Sequence, residues 1–90
     1  MAKKVSKEDF SALYKLLADL ETEEECESLL GDLCTIREVE QMAERVRAAK
    51  MLIEGNTYNE IIAATNISSA TLSRISRSLQ YGNGYSKFLK

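Results

Sequence analysis

Apolar side chains recur every three or four residues along most of the chain, which is the spacing of one face of an α-helix. No stretch alternates apolar and polar residues for long enough to predict a β-strand. The 90 residues include no proline and only 4 glycines, so few positions would interrupt a helix. The pattern therefore predicts an all-α fold of five to six helices, in a single domain over residues 1–90.

The first three predicted helices, over residues 7–20, 23–33 and 36–54, each carry one apolar stripe. The stripes consist of Phe10, Leu13, Tyr14, Leu17 and Leu20; of Cys26, Leu29, Leu30 and Leu33; and of Val39, Met42, Ala43, Val46, Leu52 and Ile53. Gly55 follows the third helix, where a left-handed residue often ends a helix. We expect the stripes to form a core or a dimer surface.

Hydroxyl and carboxyl residues mark where the helices begin. In a capping box, a serine or threonine precedes an acidic residue by three positions, and each side chain binds the other's backbone amide. Ser6–Asp9 approximates this box, and Thr22–Glu25, Thr35–Glu38 and Thr57–Glu60 match it in full. The boxes predict four helix starts, and a serine at position 68 or 69 predicts a fifth.

Residues 58–79 predict a helix-turn-helix motif, in which a short helix, a tight turn and a second helix follow one another. We expect Ile61 and Ile62 to bury one face of the short helix, and Ile67 to anchor the turn in the core. Asn66 is expected to be left-handed in the turn, because asparagine tolerates that conformation better than most residues. The buried stripe of the second helix consists of Leu72, Ile75 and Leu79.

The opposite face of this second helix suits DNA. Its residues are small, hydroxylated or basic: Ser69, Ala70, Thr71, Ser73, Arg74, Ser76, Arg77 and Ser78. Small residues allow a helix to enter the major groove, hydroxyls donate to phosphates or base edges, and arginine binds phosphate or guanine. The free amides at the helix start also favour phosphate. The alternative is a helix-turn-helix that serves only packing or contacts with other proteins.

Charge is divided unequally along the chain, whose net charge is −2. Residues 1–44 carry 5 basic and 12 acidic side chains, whereas residues 45–90 carry 7 basic and 2 acidic ones. No acidic residue follows Glu60. A polyanion such as double-stranded DNA would therefore meet the C-terminal part of the chain. The alternative is a helical domain that segregates its charges without consequence for binding.

Several classes of function lack their residues in this sequence. Histidine, a phosphate-binding loop and a nucleophile beside a base are all missing, so we expect neither an enzyme nor a cofactor. Cys26 and Cys34 form no CxxC motif, which disfavours a zinc site and favours reduced thiols in the cytoplasm. No apolar run is long enough to span a membrane, and no signal-peptide core follows the basic residues 1–4.

Six segments carry a family resemblance: DLCTI (32–36), RVR (45–47), AKML (49–52), EGNTY (54–58), SATLSR (69–74) and SLQYG (78–82). Through them the chain resembles the Trp repressor family, and especially its branch of YerC/YecD-like proteins. The resemblance implies an intertwined homodimer, with dimerisation helices in residues 1–56, the helix-turn-helix in 57–80 and a short C-terminal segment in 81–90. It also implies two recognition helices about one DNA turn (~34 Å) apart, and repression at a palindromic operator.

The resemblance also implies roles for individual residues on DNA. Ser69, Ala70 and Ser73 match positions that face base edges, and Thr71 and Ser76 match positions near phosphates. Asn59, on the preceding helix, matches a position that reaches DNA. Arg74 and Arg77 complete the candidate DNA-binding set through their place on the outward face.

A small-molecule site is implied in the same way. Residues that surround the co-repressor in tryptophan-responsive members are matched by Thr35, Arg45, Arg74 and Ser78. Ile75 stands where those members have a glycine that leaves room for the indole ring, so its side chain would fill that space. We therefore predict no tryptophan binding, while another effector, or none, stays open. Alternatively, Arg45 and Arg74 form ordinary salt bridges with Glu38, Glu44 or a partner chain.

A protein-interaction module is the competing class of function. The acidic cluster at residues 21–25 motivates it, because such a cluster attracts a basic partner. The same cluster is also an ordinary helix start, favoured by the helix dipole.

Overall fold

A computed structural model describes residues 3–89, so Met1, Ala2 and Lys90, with the expectations that fall on them, lie outside the described residues. The helices are α1 (Lys7–Ala18), α2 (Glu23–Leu33), α3 (Ile36–Ile53), α4 (Tyr58–Ala64), α5 (Ser69–Tyr81) and α6 (Gly84–Phe88). Residues 3–89 contain no strand, which confirms the all-α fold. The chain divides into two compact units, of which the first ends at Cys34 and the second begins at Thr35.

The predicted capping boxes begin three of these helices. Ser6 and Asp9 form a complete box at α1, as do Thr35 and Glu38 at α3 and Thr57 and Glu60 at α4. At α4, the Glu60 amide donates to Thr57 Oγ1 over 3.2 Å, and the Thr57 amide donates to Glu60 Oε1 over 2.7 Å. The amides satisfied in this way are those that a helix leaves unpaired at its start.

The box predicted at α2 is wrong in its second half. Thr22 Oγ1 accepts from the Glu25 amide over 3.1 Å, as expected. Glu25 Oε1, however, accepts from the Glu21 amide over 2.8 Å and not from the Thr22 amide. The glutamate side chain is long enough to reach one residue further back, where the amide is equally free of a helical partner.

The capping carboxylates should make folding sensitive to acid. The pKa of Glu60 lies below its ordinary value, chiefly because of the hydrogen bond with the Thr57 backbone and secondly because of the one with the Thr57 side chain. The backbone and the side chain of Thr35 lower the pKa of Glu38 in the same way. The unfolded chain thus binds more protons at acid pH. The boxes therefore stabilise the fold above the ordinary glutamate pKa of about 4.3, and this contribution is lost as the pH falls through the lower folded pKa.

We accordingly expect Glu60→Ala to be less stable than the unmodified chain near neutral pH, and the difference to shrink in acid. Urea unfolding at about pH 6 and about pH 3 measures both differences. Glu54→Ala is the control, because Glu54 is an exposed glutamate that belongs to none of the capping boxes. A difference for Glu60→Ala that stays constant between the two pH values would contradict the role of its charge.

The core of the second unit lies where α5 packs against α3 and α4. Its buried side chains are Ala48, Ala49, Ile61, Ile67, Leu72 and Ile75. Ile67 anchors the turn as predicted, and Leu72 and Ile75 form the buried stripe of α5, with Leu79 packed beside them. The two alanines, which the stripe predicted for α3 leaves out, lack bulky side chains and so allow α5 to approach α3 closely.

Two expectations for the helix-turn-helix are wrong. Among the described residues, only Gly55 has a positive φ, at 93°, so Asn66 is not left-handed. Thr65 supports the turn instead, because its Oγ1 donates to the Ile61 carbonyl over 2.8 Å and accepts from the Ile67 amide over 3.3 Å. Ile62 is 38% exposed, since it lies about 100° around the helix from the buried Ile61.

The C-terminal segment, which the sequence predicts either to pack as a short helix or to fray, forms α6. Tyr85 and Leu89 pack against the core, whereas Phe88 is 78% exposed. Gly82 separates α5 from α6, and a Cβ at this position would lie 2.7 Å from the Ser78 carbonyl oxygen. Only glycine fits this close approach without displacing backbone.

The first unit leaves its apolar side chains largely uncovered. No residue of α1 or α2 is buried. Phe10, Tyr14, Leu17 and Leu33, all in predicted stripes, are between 38% and 61% exposed. Both predicted helices are confirmed. The remaining stripe residues are only half-buried: Leu13, Leu20, Cys26, Leu29 and Leu30.

Candidate nucleic-acid interface

The start of α5 is fixed by Ser68. Its Oγ accepts from the Thr71 amide and donates to Thr71 Oγ1, each over 3.2 Å. Leu72 and Ile75, 0% and 3% exposed, set the rotation of the helix about its axis. The opposite face of α5 is consequently turned to solvent.

The structure places the candidate DNA-binding residues on or beside that outward face. Ser69, Ala70, Ser73, Arg74 and Arg77 are exposed on α5, and Asn59 is exposed on α4. Thr71 and Ser76 are half-buried at its margins. Five exposed residues at steps of one, three and four positions therefore form one polar surface, which we call the α5 face.

The electrostatics of the α5 face favour a polyanion. Arg74 and Arg77 are separated by one helical turn, and α5 contains no acidic residue. The first turn is also the positive end of the helix dipole. By contrast, each of α1–α4 carries at least one carboxylate in its first turn.

A cleft of about 770 Å³ separates one face of α3 from the turn and the start of α5. The charged residues that line it on α3 are Arg37, Glu40, Glu44, Arg45 and Arg47, and the opposite wall is formed by Asn66, Ile67, Ser68 and Thr71. Of these, Arg37, Glu40, Glu44 and Arg47 form a row on α3 that was not predicted from the sequence to belong to a site. Its signal was the spacing of three, four and three residues, which places all four on one helix face.

Glu44 has a distinctive position in this cleft. The residue is half-buried, and its Oε2 atom is buried without a hydrogen-bond partner. Its neighbour in the row, Glu40, is exposed.

The structure does not gather the four candidate effector residues around this cleft. Arg45 lines it, but Thr35, Arg74 and Ser78 do not. The Thr35 hydroxyl instead accepts from the Glu38 amide over 3.1 Å as the cap of α3. Ile75, which by the resemblance stands at the position of a glycine in tryptophan-responsive members, is buried in the core.

Other kinds of site find little support in residues 3–89. Cys26 and Cys34 are free and half-buried. Within this range, no three histidine, cysteine or acidic side chains are grouped so that they could hold a metal ion. None of the helices described here combines the length and the hydropathy needed to cross a membrane.

Comparison with known proteins identifies a family. The family model described as Trp repressor protein matches residues 8–90. The uncharacterized protein YerC of Bacillus subtilis is 42% identical over 80 residues, which cover 89% of this chain and 77% of YerC.

Two solved structures are similar over most of their length. A crystal structure described as a candidate Trp repressor from Staphylococcus aureus has a TM-score of 0.85 at 38% identity, covering 93% of this chain and 85% of its own. The crystal structure of a TrpR-like protein from Eubacterium eligens has a TM-score of 0.83 at 38% identity, and the match covers 90% of this chain and 84% of the Eubacterium protein.

Proposed function

Because the chain belongs to the Trp repressor family, we propose that it is a sequence-specific DNA-binding regulator of transcription that acts in the cytoplasm as a homodimeric repressor. The observation that carries the proposal is the α5 face, which is exposed, free of acidic residues and held in place by the buried Leu72 and Ile75. Nothing in the chemistry of this face requires a cofactor.

In this proposal, the small residues of α5 approach the bases and the flanking groups hold the backbone. Ser69, Ala70 and Ser73 are small enough for the helix to enter the major groove. Thr71 and Ser76 are the proposed phosphate contacts, and Asn59 is proposed to reach DNA from α4. Arg74 and Arg77 supply the positive charge, and either can bind phosphate or guanine.

The exposed apolar faces of α1 and α2 support the homodimer. Phe10 and Tyr14 stack on each other at a centroid distance of 6.3 Å, yet they are 49% and 61% exposed. Apolar surface of this kind is buried in most soluble proteins, often by a partner copy. A dimer would present two α5 faces, and so read two half-sites of a palindrome.

We propose that tryptophan is not the effector. The buried Ile75 supports this, since its side chain packs with Leu72 and Ala48 where a ring would need space. Arg45 and Arg74 are then available for other partners, and no particular small molecule is favoured.

Selection of duplexes from a random DNA pool by the purified protein tests the function. We expect enrichment of a palindrome with two half-sites, and the same enrichment with and without tryptophan. A tryptophan-dependent palindrome would leave the DNA-binding proposal standing and overturn the role of Ile75. Absence of both enrichment and salt-sensitive binding would overturn the DNA-binding proposal itself.

A protein-interaction module is the second candidate, favoured by a groove in the first unit. This groove, of about 520 Å³, is lined by Leu16, Asp19, Leu20, Glu24, Glu25, Ser28, Leu29 and Asp32. Leucines flanked by carboxylates suit a basic amphipathic segment of another protein. A stable complex with such a partner, together with no DNA affinity at low salt, would favour this candidate.

A further inference from the structure

We propose that Glu44 restricts DNA binding: it lines the cleft beside the start of α5, and its negative charge lowers the affinity for DNA of arbitrary sequence. This inference rests on the proposed DNA-binding function. It assigns a role in limiting DNA affinity to a residue that lies outside the α5 face.

The position of Glu44 brings a negative charge close to the proposed phosphate contacts. Glu44 lines the same cleft as Ser68 and Thr71, the residues that cap the start of α5. A DNA backbone bound at the start of α5 would lie near this cleft. Phosphates there would meet the attraction of the cleft's arginines together with the repulsion of its glutamates, which are Arg37, Arg45 and Arg47, and Glu40 and Glu44.

No hydrogen-bond donor in the described part of the chain pairs with Glu44 Oε2, which is buried. Charges near a protein surface interact more strongly than charges in bulk water. The charge of Glu44 therefore contributes to the field that a phosphate at the start of α5 meets.

The consequence is a lower occupancy of arbitrary DNA. Phosphate contacts supply most of the affinity for arbitrary DNA, and base contacts add affinity only at the correct sequence. A fixed penalty on the backbone contacts lowers the affinity for every sequence by the same factor and leaves the ratio of affinities unchanged. At a given protein concentration, the occupancy of arbitrary DNA then falls, whereas the correct sequence stays occupied because base contacts add to its affinity.

The test compares Glu44→Gln with the unmodified protein on a random-sequence duplex of about 20 base pairs. We expect the variant to bind about tenfold more tightly at about 50 mM salt, with a steeper loss of affinity towards about 200 mM salt. Glu44→Asp keeps the charge and should stay close to the unmodified protein. Glu44→Ala replaces the glutamine variant in the comparison if that variant loses its helical circular dichroism.

Glu54→Gln is the matched control. It makes the same change in net charge at an exposed position at the end of α3 that does not line the cleft. We expect it to change the affinity less than twofold, which separates a local effect from a general change in charge.

The outcomes distinguish this inference from the function on which it rests. Equal affinity of Glu44→Gln and the unmodified protein, or equal gains for Glu44→Gln and Glu54→Gln, would overturn the restricting role alone. If neither the unmodified protein nor any variant bound DNA at low salt, the DNA-binding function would fail and the restricting role with it.

Discussion

Replacing Arg74 and Arg77 together with alanine is expected to weaken DNA binding by at least about 100-fold at moderate salt. Both guanidinium groups lie on the α5 face, one helical turn apart, and no acidic residue of α5 neutralises them. A base contact by arginine contributes about 1–3 kcal/mol of discrimination, and each lost phosphate contact lowers the salt slope by about one. A dimer would lose each contact twice.

The measurement is a titration of labelled duplex at several salt concentrations, on the sequence obtained by selection and on a random one. Loss confined to the selected sequence would identify base contacts, whereas equal loss on both would identify phosphate contacts. The single variants Arg74→Ala and Arg77→Ala separate the two side chains. Because both residues are exposed, we expect the helical content to be unchanged.

The double variant Lys50→Ala/Lys87→Ala is the control for net charge. Both lysines are exposed in the second unit, in the last turns of α3 and α6, and neither belongs to the α5 face. We expect this variant to lose only a small part of the affinity through long-range electrostatics. Similar losses in the two double variants would show that general charge, and not the α5 face, binds DNA.

The largest expected loss of stability is that of Leu72→Ala. Leu72 is 0% exposed and packs with Ile61, Ile67 and Ile75 between α5 and its supporting helices. Removing a buried leucine side chain costs about 2–5 kcal/mol, since apolar contacts are lost and a cavity remains. That is a large share of the roughly 5–15 kcal/mol that stabilises a typical small protein. We therefore expect α5 to lose its fixed orientation and DNA binding to fail with it.

Chemical denaturation at one fixed protein concentration measures this loss, because association contributes to the apparent stability of a dimer. Ser73→Ala is the control, as Ser73 is the exposed next residue on the same helix. We expect it to change the free energy of unfolding by less than about 0.5 kcal/mol. A loss below about 1 kcal/mol for Leu72→Ala would show that the site relaxes to fill the cavity, contrary to our expectation.

Local chemistry in the sequence determined where the helices begin and which side of α5 is buried. Ser6, Thr35, Thr57 and Ser68 cap helices because the acceptor and the free amide lie only three residues apart. The left-handed Gly55 and the stripe of Leu72 and Ile75 follow from backbone geometry and helical period in the same way. The family resemblance could also be recognised from the sequence, because each of its six segments is a run of consecutive residues.

The structure decided between competing local partners and brought distant residues together. Glu25 has two free amides within reach and accepts from that of Glu21, and Thr65 supports the turn in which Asn66 was expected to be left-handed. The burial of Ala48 and Ala49 depends on how closely α5 approaches α3, which the periodicity of one helix does not encode. For the same reason the cleft that joins Glu44 and Arg47 to Ser68 appears only in the folded chain: these residues are more than 20 positions apart in sequence, and packing of two helices brings them together.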